Sequence, residues 1–328
     1  MSSPLLCVKI GSGYGYVDFK GEPVIPPRFS LAFPFYEDLA LVALPGTKFF
    51  HSSAALVYGF INPAGEVVIS PRFREAFSFS EGLAPVIPPP PRRRLWGYCN
   101  KSGRLVLRSR YDLAGGFFSG LARVKVGRNW GYINPQGQYI IKPRFASAGD
   151  FSELLAVVRE ENGRWGYIDE RGETAILPQY EWAKSFAQGL ARVSRNGKWG
   201  FIDKQGTYIF RPQFDDARDF SEGLAPINVG RRFDEVFHER RGGKWGYINK
   251  RGIGLIDSHF DEAFSFSGGL ARVKLYGKWG FIDKKGDIVI KPEFAAATEF
   301  NKGHAMVWLE GKPLIINKEG QTTPIGEG

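Results

Sequence analysis

Four histidines, two cysteines and a scatter of paired acids are the residues of this 328-residue chain whose types suit acid–base, nucleophilic or metal chemistry. His51, His238, His259 and His304 share no spacing, and Cys7 and Cys99 do not form a metal-spaced pair, so neither a triad nor a metal site is signalled. Asp215 with Asp216, or Glu235 with Glu239, would act as an acid–base pair only if tertiary structure happened to converge them. GSGYG at 11–15 lacks the Lys-Ser/Thr of a phosphate loop and any strand-to-helix context, and reads as a turn. No catalytic residue, metal or cofactor is expected, and the chain is not read as an enzyme. What remains is contact chemistry, because arginines mixed with aromatics offer large contact area and directed hydrogen bonds. They gather in three stretches. Residues 44–56 hold Phe49, Phe50 and His51; residues 87–95 set Arg92, Arg93 and Arg94 behind a run of prolines; residues 229–243 carry Arg231, Arg232, Arg240 and Arg241 around Phe233 and Phe237.

The elements that must hold these stretches follow from a repeat. KWGFIDKQGTYIFRPQFDDARDFSEGLAPI at 198–227 returns as KWGFIDKKGDIVIKPEFAAATEFNKGHAMV at 278–307 and, with drift, six more times. The anchoring glycines are Gly15, Gly59, Gly97, Gly131, Gly166, Gly200, Gly246 and Gly280, with a basic period of 34 residues; a partial ninth unit covers 312–325. In KWGFID the two-residue strand period puts Trp199, Phe201 and Asp203 on one face and Gly200 and Ile202 on the other. An Asp or Asn with Gly three residues later, from Asp18 and Gly21 to Asn317 and Gly320, then supplies the Asx bond and positive φ of a tight hairpin loop. Asn fills that position in five of nine copies, so the acid is structural rather than a calcium ligand or a catalytic group. A linking segment follows, with an aromatic, Ala three residues on, and a second Phe, as in Phe214, Ala217 and Phe220; such strict size matching is what a close-packed core imposes. A third strand such as LARVKV then runs into the next Trp-Gly.

These residues resemble the WG-repeat family of bacteria, whose short β-repeats carry Trp-Gly, an aromatic, Ile, Asp or Asn, and a downstream Gly. The resemblance covers Tyr14 to about Thr322. Six copies keep the literal pair, at Trp96, Trp130, Trp165, Trp199, Trp245 and Trp279, taken here as structural; the first two copies have Tyr14 and Tyr58, and the ninth has Pro313 and Leu314. What the resemblance implies is a non-catalytic repeat scaffold with no shared activity to transfer.

Composition agrees with strands and tight turns. The chain has 41 Gly, 21 Pro and 15% aromatic residues, and its 43% hydrophobic content suffices for a core. The expected fold is all-β, a single array over 1–328 of about nine stacked three-stranded antiparallel units. A propeller-like ring is preferred to an open superhelical solenoid. The chain begins with a lone strand, LLCVKI, and ends with a hairpin lacking one, so the two ends together are candidates to complete a shared blade. From each anchoring Gly to the Leu of the linking segment, or its equivalent His304, there are 24 residues in all eight copies; every insertion falls in the hairpin before the next Trp-Gly, and so on one rim. Arg123, Arg192 and Arg272 repeat at one strand position and add periodic positive charge. The partner favoured is a protein, bound through the insertions. A net charge of +10 with arginine and phenylalanine keeps nucleic acid open as an alternative, and rim aromatics keep a glycan or cell-envelope ligand open. No apolar run reaches the roughly 18 residues of a membrane span, and the amino-terminal stretch lacks the pattern of a secretory signal, so a cytoplasmic location is expected.

Overall fold

The structure is a computed structural model that describes residues 5–46, 56–89, 94–234, 239–252 and 254–325, the side chains of 232–234 and 239–241 excepted. All regular structure among the described residues is β, and no helix is long and apolar enough to cross a membrane. The strands of the described residues form nine antiparallel sheets: the first has three strands and the other eight have four. The chain separates into two compact units. One gathers residues up to Glu161 with Ile168–Glu173, the other Asn162–Tyr167 with Thr174–Ile325.

The sixth sheet shows how the repeat builds a sheet. Its strands, in hydrogen-bonded order, are Trp182–Ala183, Ala191–Arg195, Lys198–Ile202 and Tyr208–Phe214. Ser194 lies opposite Trp199 and Val193 opposite Gly200, while Trp199 lies opposite Phe214. This corrects the three-stranded expectation in two ways. The linking segment contributes a strand of its own, and the third strand of a copy pairs with the Trp-Gly strand of the next copy rather than within its own. The cause is local: only Asp215 separates Tyr208–Phe214 from the following strand, Asp216–Ala217, so no turn exists to fold the chain back. Each sequence copy is therefore divided between two successive sheets.

The anchoring glycine has a steric reason that strand alternation does not reveal. In the fourth sheet, Trp130 pairs with Phe145 and Tyr132 with Ile141, and the slip in register between them is a bulge that brings the backbone of Lys142 and Pro143 over Gly131. A Cβ on Gly131 would stand 2.5 Å from the Ile141 carbonyl oxygen and 2.6 Å from the Pro143 nitrogen. Proline suits such a bulge because it has no N–H to leave unpaired. The hairpin loops are as expected: Asp203 Oδ1 accepts the N–H groups of Gln205 at 3.0 Å and Thr207 at 2.8 Å, and Gly206 takes φ +80°.

The core lies between successive sheets. Phe201, Phe210 and Phe214 of the sixth sheet pack with Ala217, Phe220, Ala225, Ile227 and Ile248 of the seventh. Full burial of a phenylalanine contributes about 1.5–3 kcal/mol, so the recurring aromatic–alanine–phenylalanine set is the main source of cohesion. The first copy departs, since Ala32 and Phe35 are only half-buried. Hydrogen bonds fix the spacing as well. The Tyr132 hydroxyl donates to the Gly149 carbonyl at 2.8 Å, and Tyr16, Tyr98, Tyr167 and Tyr247 make the equivalent bond 17 residues ahead. At another turn, the N–H of Gly120 donates to the Glu81 carboxylate at 2.9 Å and that of Gly269 to Glu222 at 3.0 Å. Where both bonds fall on one segment, as at Gly115 and Gly120 or at Phe264 and Gly269, the chain between them cannot absorb an indel, in keeping with the constant 24-residue distance.

Among the described residues the two ends share no sheet. Leu6–Ile10 pairs with Gly13–Val17 in the first sheet, whereas His304–Leu309, Lys312–Asn317 and Thr322–Pro324 complete the ninth with Ala296–Ala297.

Candidate functional site

The insertions fall at one and the same hairpin of their sheets. In the seventh sheet the hairpin strands lengthen to Leu224–Asp234 and Glu239–Asn249, with Arg231 opposite Gly242, Arg232 opposite Arg241 and Phe233 opposite Arg240. Arg231 is half-buried: its N–H donates to Asp215 at 3.0 Å and its guanidinium lies 3.2 Å from the Asp216 carboxylate. The side chains of Arg232, Phe233, Arg240 and Arg241 lie outside the described residues, as do Phe237 and His238 entirely. In the second sheet the insertion follows Leu39–Pro45 and ends at Leu56–Ile61; Phe49, Phe50 and His51 lie outside the described residues. In the third it separates Leu83–Ile87 from Trp96–Asn100. Arg92 and Arg93 fall outside the described residues, while Arg94 is exposed and ion-paired with Glu75.

The periodic arginines are not a stripe of free charge. Arg123 Nε lies 2.7 Å from Asp150 and its Nη1 donates to the Ala148 carbonyl at 2.9 Å, both in the next sheet, and its guanidinium sits 5.4 Å from the Trp130 ring centroid. Arg192 repeats this with Asp219, Ala217 and Trp199, and Arg272 with Glu299, Ala297 and Trp279. A guanidinium stacked on an indole and bonded to a carbonyl serves cohesion, and its charge is offset by the adjacent acid. The tryptophans differ accordingly. Trp96 and Trp245 are buried, at 4% and 5% exposure, whereas Trp130, Trp165, Trp199 and Trp279 are half-buried.

A surface not evident in the sequence lies beside the first two insertions. Leu56 and Arg94, near the ends of those insertions, line an open pocket of about 590 Å3 with Phe33, Tyr58, Phe77 and Trp96. A second pocket of about 540 Å3 shares Phe77 and continues past Leu113 and Phe118 to Trp130 and the Arg123–Asp150 pair. Phe77 is 53% exposed, and its ring lies parallel to Trp96 with centroids 4.9 Å apart. Phe33, Tyr36, Leu113 and Phe118 are exposed too, so the two pockets form one apolar groove within the first unit. Contiguous apolar surface of this kind marks interaction sites in soluble proteins. The residue after the linking alanine carries the signal: it varies from Phe33 and Phe77 through Gly115, Gly149, Lys184 and Arg218 to Phe264 and Thr298, while the alanine before it and the phenylalanine two residues on hold constant. Phe264 is covered, with the Arg218 and Arg272 guanidiniums 3.6 and 3.7 Å from its ring centroid. Phe33 and Phe77 stay open.

Burial pushes the Cys7 thiol up to about 11 and the Cys99 thiol up to about 12, so neither is a ready nucleophile at neutral pH. His259 Nδ1 is 2.8 Å from the Asp257 carbonyl and its ring rests on Phe260, which gives it a structural role.

The model of the WG-containing repeat matches residues 14–44, 58–87, 96–130, 130–164, 165–199, 199–233, 245–279 and 279–312. No curated protein matches the sequence. Among solved structures, the chain is similar to a eukaryotic initiation factor, with 10% identity and a TM-score of 0.65 over 98% of this chain and 95% of that one. It is also similar to the computationally designed Ika8 protein, with 9% identity and a TM-score of 0.50 over 98% of both chains. At such identities the likeness speaks for fold alone, and the fold is a β-propeller whose blades are the nine sheets.

Proposed function

The chain belongs to the WG-containing repeat family, and from that premise we propose that it is a non-catalytic scaffold that binds a partner protein through the hairpin insertions and the groove at their base. The observation that carries this reading is the convergence of Leu56 and Arg94, from two separate insertions, on an aromatic groove with exposed Phe77. Exposed aromatics with an arginine at the margin are the composition of interface hot spots. Neutralisation of Arg123, Arg192 and Arg272 by their acids weakens the case for nucleic acid, which would draw on unpaired cations. Two free cysteines in no disulfide support a reducing compartment, and we place the protein in the cytoplasm.

The test is capture from a native lysate, with and without nuclease, by three baits: the intact chain, a Phe33→Ser/Phe77→Ser variant, and a chain whose residues 230–242 are replaced by a two-residue turn. The expected result is a nuclease-resistant protein partner lost from either altered bait without a fall in melting temperature. Retention that nuclease abolishes and that weakens steeply with salt would assign nucleic acid instead. Equal capture by all three baits would overturn the assignment of both surfaces.

A further inference from the structure

Trp130, Trp199 and Trp279 share one arrangement. The guanidiniums of Arg123, Arg192 and Arg272 lie 5.4, 5.5 and 5.4 Å from their ring centroids. Each arginine is paired with an acid, Asp150, Asp219 or Glu299, that stands two residues after the linking alanine of the next sheet. Trp245 breaks the arrangement at both ends. Pro226, opposite Tyr247, fills the place of the arginine, and Ser265, two residues after Ala263, fills the place of the acid. The guanidinium over Trp245 comes instead from Arg218 of the linking segment, 5.0 Å from the indole centroid and 3.6 Å from that of Phe264. Its Nε is buried without an acceptor, and among the described residues no acid stands at ion-pair distance from it. The acids nearby are engaged elsewhere, Asp216 with Arg231 at 3.2 Å and Glu262 with Lys274 at 3.8 Å. Burial lowers the Arg218 pKa from its ordinary value; Asp216 and Glu262 oppose that shift, and Arg192 and Arg272 add to it. Arg272 is 3.7 Å from the Phe264 centroid, and two guanidiniums so near one centroid lie on opposite faces of the ring. Arg272 too is loosely matched, with Glu299 3.8 Å away against 2.7 Å in the Arg123 and Arg192 pairs.

We propose that Arg218, with Arg272 beside it, is a carboxylate-binding site that takes an aspartate or glutamate from an acidic segment of a partner protein. The three internal pairs define the occupant. In each, a protein carboxylate meets a guanidinium stacked on an indole, and at Trp245 the guanidinium is kept while the chain supplies no acid. The ring contacts leave both terminal nitrogens of Arg218 without a hydrogen bond among the described residues, a fork that matches the two oxygens of a carboxylate. Its half-buried setting makes such a pair stronger than one on open surface. The site lies in the second unit, shares no residue with the groove and does not rest on it.

Fluorescein-labelled hexaglutamate is the probe, and anisotropy against the full chain at fixed salt is the readout. Arg218→Gln is expected to weaken binding roughly tenfold or more. Arg211→Gln makes the same charge change at an exposed arginine of the same unit, and is expected to leave affinity within about twofold. Ser265→Asp restores an acid in cis at the place Asp219 holds beside Arg192; it is expected to melt higher and to bind the probe as weakly as Arg218→Gln. Because it leaves Arg218 in place, it carries the test even if Arg218→Gln does not fold. Absence of binding to the unaltered chain would overturn the proposal, as would equal losses in Arg218→Gln and Arg211→Gln, or a Ser265→Asp chain that binds as the parent does. An unlabelled hexanucleotide that competes more strongly than unlabelled hexaglutamate would assign the site to phosphate and overturn it as well.

Discussion

Alanine placed at Gly246 and at Gly254 should move stability in opposite directions, although the two glycines lie on paired strands of one sheet. A Cβ at Gly246 would stand 2.5 Å from the Ile256 carbonyl oxygen and 2.8 Å from the Ser258 nitrogen, both backbone atoms fixed by the bulge between the Tyr247–Ile256 and Trp245–Phe260 pairs. The bulge cannot yield without breaking its own hydrogen bonds, so Gly246→Ala should cost about 1–3 kcal/mol, the range of forced overpacking. At Gly254 an added Cβ meets no atom within 4 Å, and the residue is a strand residue paired with Ile248. Gly254→Ala should therefore stabilise by about 0.4–1 kcal/mol through the unfolded chain. With a urea slope of about 1–3 kcal/mol/M, the two midpoints should separate by roughly 1 M, read by tryptophan emission. Equal midpoints, or a Gly246→Ala protein as stable as the parent, would refute the claim that backbone approach from the next strand is why glycine follows tryptophan.

Two further outcomes follow from burial and charge. Trp245→Ala should cost about 3–5 kcal/mol, as for a core aromatic, whereas Trp199→Ala should cost less because Trp199 is half-buried and partly covered by Arg192; equal urea shifts would contradict this distinction. The hydrogen bond from Lys244, 2.6 Å away, holds the Asp261 carboxyl below the usual range. A depressed carboxyl contributes stability that is present above the unfolded value of about 4 and lost as pH falls through the folded value. Asp261→Asn should thus be less stable than the parent at pH 7 and approach it in acid; a constant difference across that window in urea titrations would count against the ion pair.

The sequence was readable wherever one residue type answers one local demand. The turn pair of Asp203 and Gly206 and the buried set of Phe214, Ala217 and Phe220 were evident because a loop dihedral or a filled volume permits few alternatives. Strand partners were less evident, since pairing depends on whether the chain turns back, and nothing in the types of Phe214, Asp215 and Asp216 states that it runs straight on. The groove was hidden for another reason. Phe33, Phe77 and Phe264 occupy one repeat position, yet only Phe264 lies under guanidiniums, from Arg218 and Arg272, so exposure is decided by neighbours distant in sequence. Arg123, Arg192 and Arg272 misled likewise: periodic charge was legible, but the acids that neutralise it stand 27 residues further on.

The division of each copy between two sheets bears on how such a chain can change length over evolutionary time. Excision of one 34-residue period, for instance the residues from Gly97 up to Gly131, removes the last half of one sheet and the first half of the next, and joins two halves that already match. Recombination between copies at any equivalent point gives the same result. A gain or loss of whole copies therefore generates no orphan strand at the point of exchange, whether the joint falls inside a sheet or between two, and the genetic unit need not coincide with the folded one.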